Sequence, residues 1–260
     1  MSEYVKFENQ SGIATLTLDR PDKRNALRRE IIQSLLDYVR EVAKDDSVRV
    51  LVIRATGKVF CAGMDLGQMQ ERAESDNAPE EWKQDSQVYC DLLSALVQLR
   101  VPTVACLQGP ALAGGVGMVL ACDIVLAADS AFFMLPEPMR GITAAMVTPL
   151  LLHRIGPGPA TYMLLSNEKI QASNSFGLCH AVVPSDQLET RLQSLLKSML
   201  AGSKSAFAIT KAHIATTTSS DLTQLIQESM TVSARARATE DAREGLAAFL
   251  EKRSPNWQNS

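Results

Sequence analysis

Hydrophobic and polar residues alternate at the start of the chain and then change to a helical period. The first 20 residues alternate on either side of Ser11-Gly12, which predicts two short strands joined by a glycine turn. From residue 27 to residue 44, apolar residues recur every three or four positions with charges between them, as in an amphipathic helix. Residues 48–53 form a β-branched apolar run, which is typical of a strand buried on both faces.

The order of strand, glycine turn and helix then occurs a second time. The strand at 48–53 leads into a turn at residues 60–66, and an apolar run at 103–107 leads into the glycine-rich residues 109–117. Two such units argue for an α/β fold with parallel strands. Between them, the polar stretch 71–82 predicts an exposed insertion before a helix at about 85–99.

The rest of the chain is predicted to be mostly helical. No linker rich in Gly, Ser or Pro separates the helices, so we expect them to dock on the α/β core or on a neighbouring subunit. Two short strands are expected at 124–127 and 132–133, followed by helices at about 144–155, 158–166, 172–178, 185–201, 203–216, 221–235 and 239–251.

Composition and charge exclude several classes of protein. With 26 Lys and Arg against 29 Asp and Glu, the chain lacks the basic surface that nucleic-acid binding requires. No apolar stretch reaches the roughly 18 residues of a membrane span, and the start of the chain has no secretory signal. We therefore expect a cytoplasmic protein with no nucleic-acid or membrane partner.

Cysteine and histidine limit the chemistry further. The five cysteines show no CxxC or Cys/His spacing, so we interpret them as reduced packing residues, with no metal and no disulfide framework. The three histidines are too dispersed for a metal cluster or a catalytic triad. If the protein is an enzyme, we expect a carboxylate as its acid or base.

The two glycine turns offer a specific chemistry when they are taken together. Each follows a strand and leaves backbone N–H groups free, and two such groups aimed at one point would polarise a carbonyl and stabilise an oxyanion or enolate. Neither turn is a P-loop or a GxGxxG fingerprint. Close packing of helix on strand explains either turn alone equally well.

Five motifs in this order resemble the enoyl-CoA hydratase/isomerase (crotonase) superfamily over nearly the whole chain. They are Arg20-Pro21-Asp22-Lys23-Arg24-Asn25-Ala26-Leu27, Phe60-Cys61-Ala62-Gly63-Met64-Asp65-Leu66, Gly109 to Gly117 continuing into Ala121-Cys122-Asp123-Ile124, Pro136-Glu137 with Arg140-Gly141-Ile142, and the ending Glu244 to Arg253.

The resemblance implies an α/β fold, a crotonase-like spiral of ββα units with a C-terminal helical region that builds trimers, often paired into hexamers. It divides the chain into a core over residues 1–200 and a helical oligomerisation region over 201–260. It also implies an acyl-CoA thioester substrate, whose coenzyme A replaces any separate cofactor.

Site residues follow from the resemblance by position. The backbone N–H groups of Met64 and Gly114 would form the oxyanion hole around the thioester carbonyl. Ala62 and Leu66 would line the adenine pocket, Lys23 and Arg24 would meet CoA phosphates, and Lys252 would reach the nucleotide end of a neighbouring subunit's CoA. A lone lysine near a C-terminus is, however, more often only a solvated charge.

The acid and base positions depart from the best-known hydratases of this family, which use two glutamates. Gly117 occupies the first position, and Glu137 occupies the second. Apolar neighbours would partly desolvate Glu137 and raise its pKa toward neutrality, which suits proton transfer. The alternative is a carboxylate in an ordinary surface ion pair.

These residues favour an enoyl-CoA hydratase that works through the single glutamate Glu137. A Δ3,Δ2-enoyl-CoA isomerase that uses the same glutamate is the first alternative. An acyl-CoA hydrolase or decarboxylase, and a non-catalytic acyl-CoA-binding protein, are the others. We expect Asp65 to hold its turn or cap the following helix, Asp123 to be structural, and His153 to pack or cap.

Overall fold

The computed structural model describes residues 1–218 and 221–258. The predicted region 201–260 includes residues 219, 220, 259 and 260, which lie outside the described residues. Within the described ranges the strands are β1 (Val5–Gln10), β2 (Ile13–Leu18), β3 (Val50–Ala55), β4 (Thr103–Leu107), β5 (Ala111–Leu112), β6 (Ile124–Ala128), β7 (Phe132–Met134), β8 (Ile170–Gln171) and β9 (Ala181–Val183).

The helices alternate with these strands and then dominate the second half of the chain. They are α1 (Arg29–Lys44), α2 (Leu66–Ala73), α3 (Ala78–Gln98), α4 (Gly114–Leu120), α5 (Val147–Ile155), α6 (Pro157–Ser166), α7 (Leu188–Ala201), α8 (Lys204–Thr217), α9 (Leu222–Arg237) and α10 (Glu240–Leu250).

A six-stranded sheet in the order β1-β2-β3-β4-β6-β9 forms the centre of the α/β fold. The β1–β2 hairpin is antiparallel, and every other pairing in this sheet is parallel. Alternate side chains of β3 face opposite layers: Leu51 and Ile53 join the large core with α1 and α3, and Val50 and Val52 pack with α7. The predicted parallel α/β units are confirmed.

A second, three-stranded sheet in the order β5-β7-β8 lies at the exits of the central strands. The β5–β7 pairing continues to a hydrogen bond from the Ala113 nitrogen to the Met134 oxygen, 3.0 Å long. This sheet therefore fixes the glycine-rich segment against the segment that leads to Glu137.

Residues 71–82 form the end of α2, a turn and the beginning of α3, so the predicted insertion is wrong, whereas the predicted exposure is confirmed for residues 71, 74–77 and 79–80. Arg72 lies 3.3 Å from Glu81 and 3.7 Å from Asp85, and Arg29 of α1 pairs with the same two carboxylates. These ion pairs join α1, α2 and α3, while residues 74–77 between α2 and α3 face solvent.

Two further differences concern residues 172–183. The helix expected at 172–178 is only a 3₁₀ turn at Ala172–Asn174, and β9 adds a sixth strand within the region expected to be helical. With three residues, β9 is too short to show a period of its own, and its pairing with β6 decides its conformation.

The last two helices dock on the core close to Glu137. Helix α9 packs against α3 and α5, and α10 packs against α2 and the 3₁₀ turn Glu137–Arg140. A Cβ on Gly245 of α10 would collide with the backbone of Arg140 in that turn. No helix in the described part of the chain is both long and apolar enough to cross a membrane.

Candidate active site

The two glycine turns meet at one place in the fold. A Cβ built on Gly63 would lie 3.3 Å from the nitrogen of Gly114, and a Cβ built on Gly114 would lie 3.1 Å from the Met64 Cε atom. Residues Cys61 and Ala111 form a parallel bridge that fastens one turn to the other. Among the backbone hydrogen bonds of the described residues, neither Met64 nor Gly114 uses its N–H as a donor.

Asn25 fixes the motif at residues 20–27 beneath these turns. It is buried in a left-handed conformation with φ of 53°, and its amide donates to the carbonyl oxygens of Thr56 and Val59 at 2.9 and 2.8 Å. Its Oδ1 accepts from the Arg20 nitrogen at 2.8 Å. A single buried amide thus joins the motif to the loop that leads into residues 60–66.

Asp65 is structural, as its position predicts. Its Oδ1 accepts a 3.1 Å hydrogen bond from the Gln68 nitrogen and caps α2, and its Oδ2 lies 2.6 Å from Arg20. Burial opposes ionisation, but the hydrogen bonds from Arg20 and from the Gln68 nitrogen, together with the charges of Arg20 and Arg28, outweigh it and lower the pKa of Asp65. Asp65 therefore stays charged, and its bonds to Arg20 and Gln68 fix the chain directly after Met64.

Glu137 begins the 3₁₀ turn after β7 and is only 7% exposed. Burial raises its pKa to about 7, against a smaller lowering by its own backbone N–H and by Arg140. Among the described residues, its Oε2 atom has no hydrogen-bond partner. A buried oxygen without a partner is costly in a folded protein, and such groups are concentrated at functional sites.

Tyr89 is the residue of this region that the sequence did not indicate. It lies in α3, it is 2% exposed, and its hydroxyl donates to the Gly114 oxygen at 2.5 Å. A Cβ on Gly117 would overlap that hydroxyl oxygen. The period of α3 marks Tyr89 only as a core residue, and nothing in the sequence indicates that α3 faces α4 at this point.

An open apolar cavity lies between α2, α10 and the segment that follows Glu137. Arg140 and Ile142 line it from the segment after Glu137, and Leu66 and Met69 line it from α2. A second open cavity is lined by Met64 and shares Met69 with the first. Met69 thus separates a pocket at the Met64 turn from a mostly apolar one that α10 lines.

The structure groups some of the residues predicted to bind coenzyme A. The Ala62 nitrogen donates to the Arg24 oxygen at 3.0 Å, so the turn that carries Lys23 and Arg24 lies against the turn that carries Met64. Both basic side chains are exposed, and within the described residues neither forms an ion pair. Leu66 lines the apolar cavity instead of an exposed surface.

Lys252 is not brought to this group. It follows α10, its side chain is exposed, and within residues 1–218 and 221–258 no contact joins it to the other candidate residues. Its predicted role toward a neighbouring subunit, and the roles predicted for Lys23, Arg24, Ala62 and Leu66, stay predictions.

The other titratable groups considered in the sequence are Asp123, His153 and the five cysteines. Asp123 accepts hydrogen bonds from the Thr103 nitrogen and from Lys211, both at 2.7 Å, as expected of a structural carboxylate. Burial lowers the pKa of His153, which keeps it neutral. All five cysteines are free thiols, and no metal-binding cluster occurs among the described residues.

The chain resembles known proteins along its full length. A family model described as Enoyl-CoA hydratase/isomerase matches residues 8–260. A 2,3-dehydroadipyl-CoA hydratase of Escherichia coli is 33% identical, with 99% of each chain covered. A crotonyl-CoA hydratase of Syntrophomonas wolfei is 30% identical, with 98% of each chain covered.

A solved structure agrees with these sequence relationships. The crystal structure of an enoyl-CoA hydratase from Mycobacterium avium subsp. paratuberculosis superposes with a TM-score of 0.86 at 29% identity, covering 97% of this chain and 98% of that chain. The predicted crotonase fold is therefore confirmed. With its two glycine turns in contact and a buried glutamate beside them, the chain belongs to the enoyl-CoA hydratase/isomerase family.

Proposed function

We propose that the protein adds water across the double bond of a 2-enoyl-CoA thioester. The observation that carries the proposal is Glu137, a buried carboxyl group beside the paired glycine turns, with a pKa of about 7 and one oxygen without a partner. A carboxyl group with that pKa exchanges protons readily at neutral pH. Family membership supports the substrate class.

In the proposed mechanism, the N–H groups of Met64 and Gly114 donate to the thioester oxygen. This polarises the conjugated system, so that the β-carbon becomes electrophilic and the α-carbon can carry developing enolate charge. The ionised Glu137 accepts a proton from water as the water oxygen bonds to the β-carbon. The protonated Glu137 then gives this proton to the α-carbon, so one water is added and the carboxylate is regenerated.

The mechanism needs no cofactor beyond the coenzyme A of the substrate. Its chemistry consists of proton transfer and charge stabilisation, which Glu137 and two backbone N–H groups supply. The apolar cavity lined by Ile142 and by Leu66 and Met69 of α2 would take the acyl chain. The exposed turn with Lys23 and Arg24 would meet the CoA phosphates, and Ala62 would lie against the adenine.

A Δ3,Δ2-enoyl-CoA isomerase is the second candidate, favoured by the absence of a side chain at Gly117. Glu137 alone would take a proton from the α-carbon of a 3-enoyl-CoA and return it to the γ-carbon. Isomerisation needs one base, whereas the familiar hydration mechanism uses two carboxylates. The two reactions differ in whether an oxygen atom enters the product.

Incubation in H₂¹⁸O with crotonyl-CoA and, separately, with a 3-enoyl-CoA distinguishes the candidates. Hydration gives 3-hydroxyacyl-CoA labelled with ¹⁸O at the β-carbon. Isomerisation converts the 3-enoyl-CoA into the 2-enoyl-CoA without label. Release of free CoA thiol would indicate a hydrolase, and release of CO₂ from a malonyl-type CoA would indicate a decarboxylase. Binding without any product would indicate a non-catalytic member of the family. Each of these results contradicts the proposal.

We also infer that the chain assembles as a trimer or a dimer of trimers, in agreement with the region predicted at 201–260. Helix α8 buries none of its side chains in the single chain. Ile209 is 70% exposed and Ile214 is 54% exposed on this helix, and Val232 of α9 is 50% exposed. Apolar side chains exposed on adjacent elements are typical of a surface that contacts another protein.

A further inference from the structure

Tyr89 occupies the space beside the first residues of α4 where a side chain is absent. Its hydroxyl oxygen lies 3.3 Å from the position of a Cβ on Gly114 and overlaps the position of a Cβ on Gly117. The hydroxyl donates to the Gly114 oxygen at 2.5 Å. The Tyr89 hydroxyl of α3 therefore occupies the space beside Gly117, the position at which the two-glutamate hydratases have their first glutamate.

The backbone immediately before Gly114 is strained. Ala113 has φ of 50° and ψ of −126°, a conformation that residues with side chains rarely adopt. Such conformations cost about 1–3 kcal/mol and persist only where neighbouring groups hold them in place. The Met134 oxygen holds the Ala113 nitrogen on one side, and the Tyr89 hydroxyl holds the Gly114 oxygen on the other.

The chemistry of the phenol suits a permanent donor. Burial, and to a smaller extent the nearby Cys61 and Glu137, raises the pKa of Tyr89 well above its ordinary value. The hydroxyl therefore keeps its only proton at neutral pH and directs it to the Gly114 oxygen.

We propose that Tyr89 is a positioning residue that replaces the missing side chain at Gly117: its hydroxyl holds the Gly114 carbonyl and thereby aims the Gly114 N–H at the thioester oxygen. The proposal rests on the proposed oxyanion hole. It also explains why residue 117 is a glycine, since any Cβ at this position would displace the Tyr89 hydroxyl.

Two substitutions and their combination test the proposal. Tyr89→Phe removes the donor, and Gly117→Ala pushes the hydroxyl away. Once the hydroxyl is gone, a Cβ at 117 meets only ordinary or slightly tight contacts, 3.3 Å from Val147 Cγ2 and 3.4 Å from the ring carbon Cζ of residue 89. The two changes therefore act on the same hydrogen bond, and their effects are not additive.

We expect Tyr89→Phe and Gly117→Ala each to lower kcat by about 10- to 100-fold with KM changed less than about threefold, since an aimed oxyanion donor acts mainly on the transition state. The double variant falls within about twofold of Tyr89→Phe. Tyr38→Phe, whose ring stacks on Phe7 far from the site, is the matched control and keeps native kcat. Full kcat in Tyr89→Phe, or multiplied losses in the double variant, overturns the proposal.

A second readout does not depend on turnover. An aryl-conjugated enoyl-CoA absorbs at longer wavelength when its carbonyl oxygen accepts strong hydrogen bonds, so its spectrum reports polarisation directly. We expect a red shift on binding to the native protein and a smaller one in Tyr89→Phe and Gly117→Ala at unchanged Kd. An equal shift in all three proteins overturns the proposal. A native protein that shifts the spectrum without hydrating any enoyl-CoA contradicts the proposed reaction, while the variants still decide the role of Tyr89.

Discussion

At the scale of single residues, the site depends on a carboxyl group held in an environment that disfavours its charge. Glu137 is nearly fully buried, and burial outweighs the attraction of Arg140, so the pKa rises to about 7 from an ordinary value of 4.5. The folded state thus binds a proton more tightly than the unfolded chain does. This has consequences for both catalysis and stability.

For catalysis, we expect kcat/KM for crotonyl-CoA to fall as the pH drops below about 7, because the proposed base must be ionised to accept a proton from water. Glu137→Gln should lower kcat by at least about 1000-fold, since Glu137 carries both proton transfers of the proposed mechanism. Glu8→Gln, on the exposed side of β1, is the control. A pH profile that is flat between 5.5 and 8 in native protein, measured by initial rates, would refute the assignment.

The raised pKa of Glu137 also contributes to the free energy of unfolding. This contribution is fully present below about pH 4.5 and is lost as the pH rises through about 7. Between pH 5 and pH 8 this amounts to about 2 kcal/mol of unfolding free energy. Glu137→Gln should therefore lose less stability than the native protein over this interval, as measured by urea denaturation at both pH values. An identical loss in both proteins would show that Glu137 titrates normally.

Lys23 and Arg24 provide a test of the proposed CoA contacts. Their exposed side chains have no acidic partner among the described residues, so substitution removes little from the fold. We expect the double variant Lys23→Ala/Arg24→Ala to raise KM by about 5- to 20-fold at low salt with kcat nearly unchanged, and the effect to shrink as salt screens the phosphates. Lys197→Ala, exposed on α7, is the control; an unchanged KM would place the phosphates elsewhere.

At the scale of elements, the packing of α10 on the Glu137 turn joins the C-terminal helices to the site. Gly245 of α10 approaches the Arg140 backbone so closely that no Cβ fits, and Gly141 approaches the Asp241 oxygen in the same way. The Arg140 guanidinium also lies 4.4 Å from the centre of the Phe249 ring. The position of Glu137 therefore depends on residues more than 100 positions later in the chain.

Gly245→Ala should displace α10 from this turn. We expect a loss of about 1–3 kcal/mol in unfolding free energy, as for other overpacked sites, together with a lower kcat because Glu137 shifts with its turn. Differential scanning calorimetry and crotonyl-CoA turnover measure the two effects. Gly158→Ala in α6 is a matched control, since nothing lies within 4 Å of its Cβ position, and it should leave both quantities at or above native values.

At the scale of the whole molecule, the large core between the central sheet and the helices is complete within one chain, whereas the outer helices are not covered. Helix α8 buries none of its side chains in the single chain and exposes Ile209 and Ile214, whereas the central strands β3 and β4 are almost fully buried. This difference is the physical basis for the proposed trimer.

Ile209→Glu combined with Ile214→Glu should weaken that assembly, because each glutamate would be buried without a partner at the interface. We expect the mass measured by light scattering to fall from that of a trimer or hexamer toward that of one chain. Glu8→Lys changes charge on the exposed face of β1 and serves as the control. A native protein that is already a single chain in solution would contradict the inference.

The sequence determined the features that depend on short-range patterns. The alternation of apolar and polar residues, their helical period and the positions of the glycines were enough to predict the β1–β2 hairpin, α1, β4 and the two glycine turns. Each pattern reflects which side chains of a single element are buried. The motifs also identified Glu137, and its raised pKa follows from apolar neighbours in the sequence as well as in the fold.

Only the tertiary structure decided which elements face each other. The charges of residues 71–82 predicted an insertion, but Arg72 and Glu81 belong to α2 and α3, and Arg29 of α1 pairs with Glu81 across the helices. The period of α3 made Tyr89 a core residue, and only the packing of α3 on α4 placed its hydroxyl against Gly114 and Gly117. A periodic pattern specifies that a side chain is buried, whereas its partner depends on contacts between residues far apart in the chain, and these contacts place Tyr89 and α10 around the site.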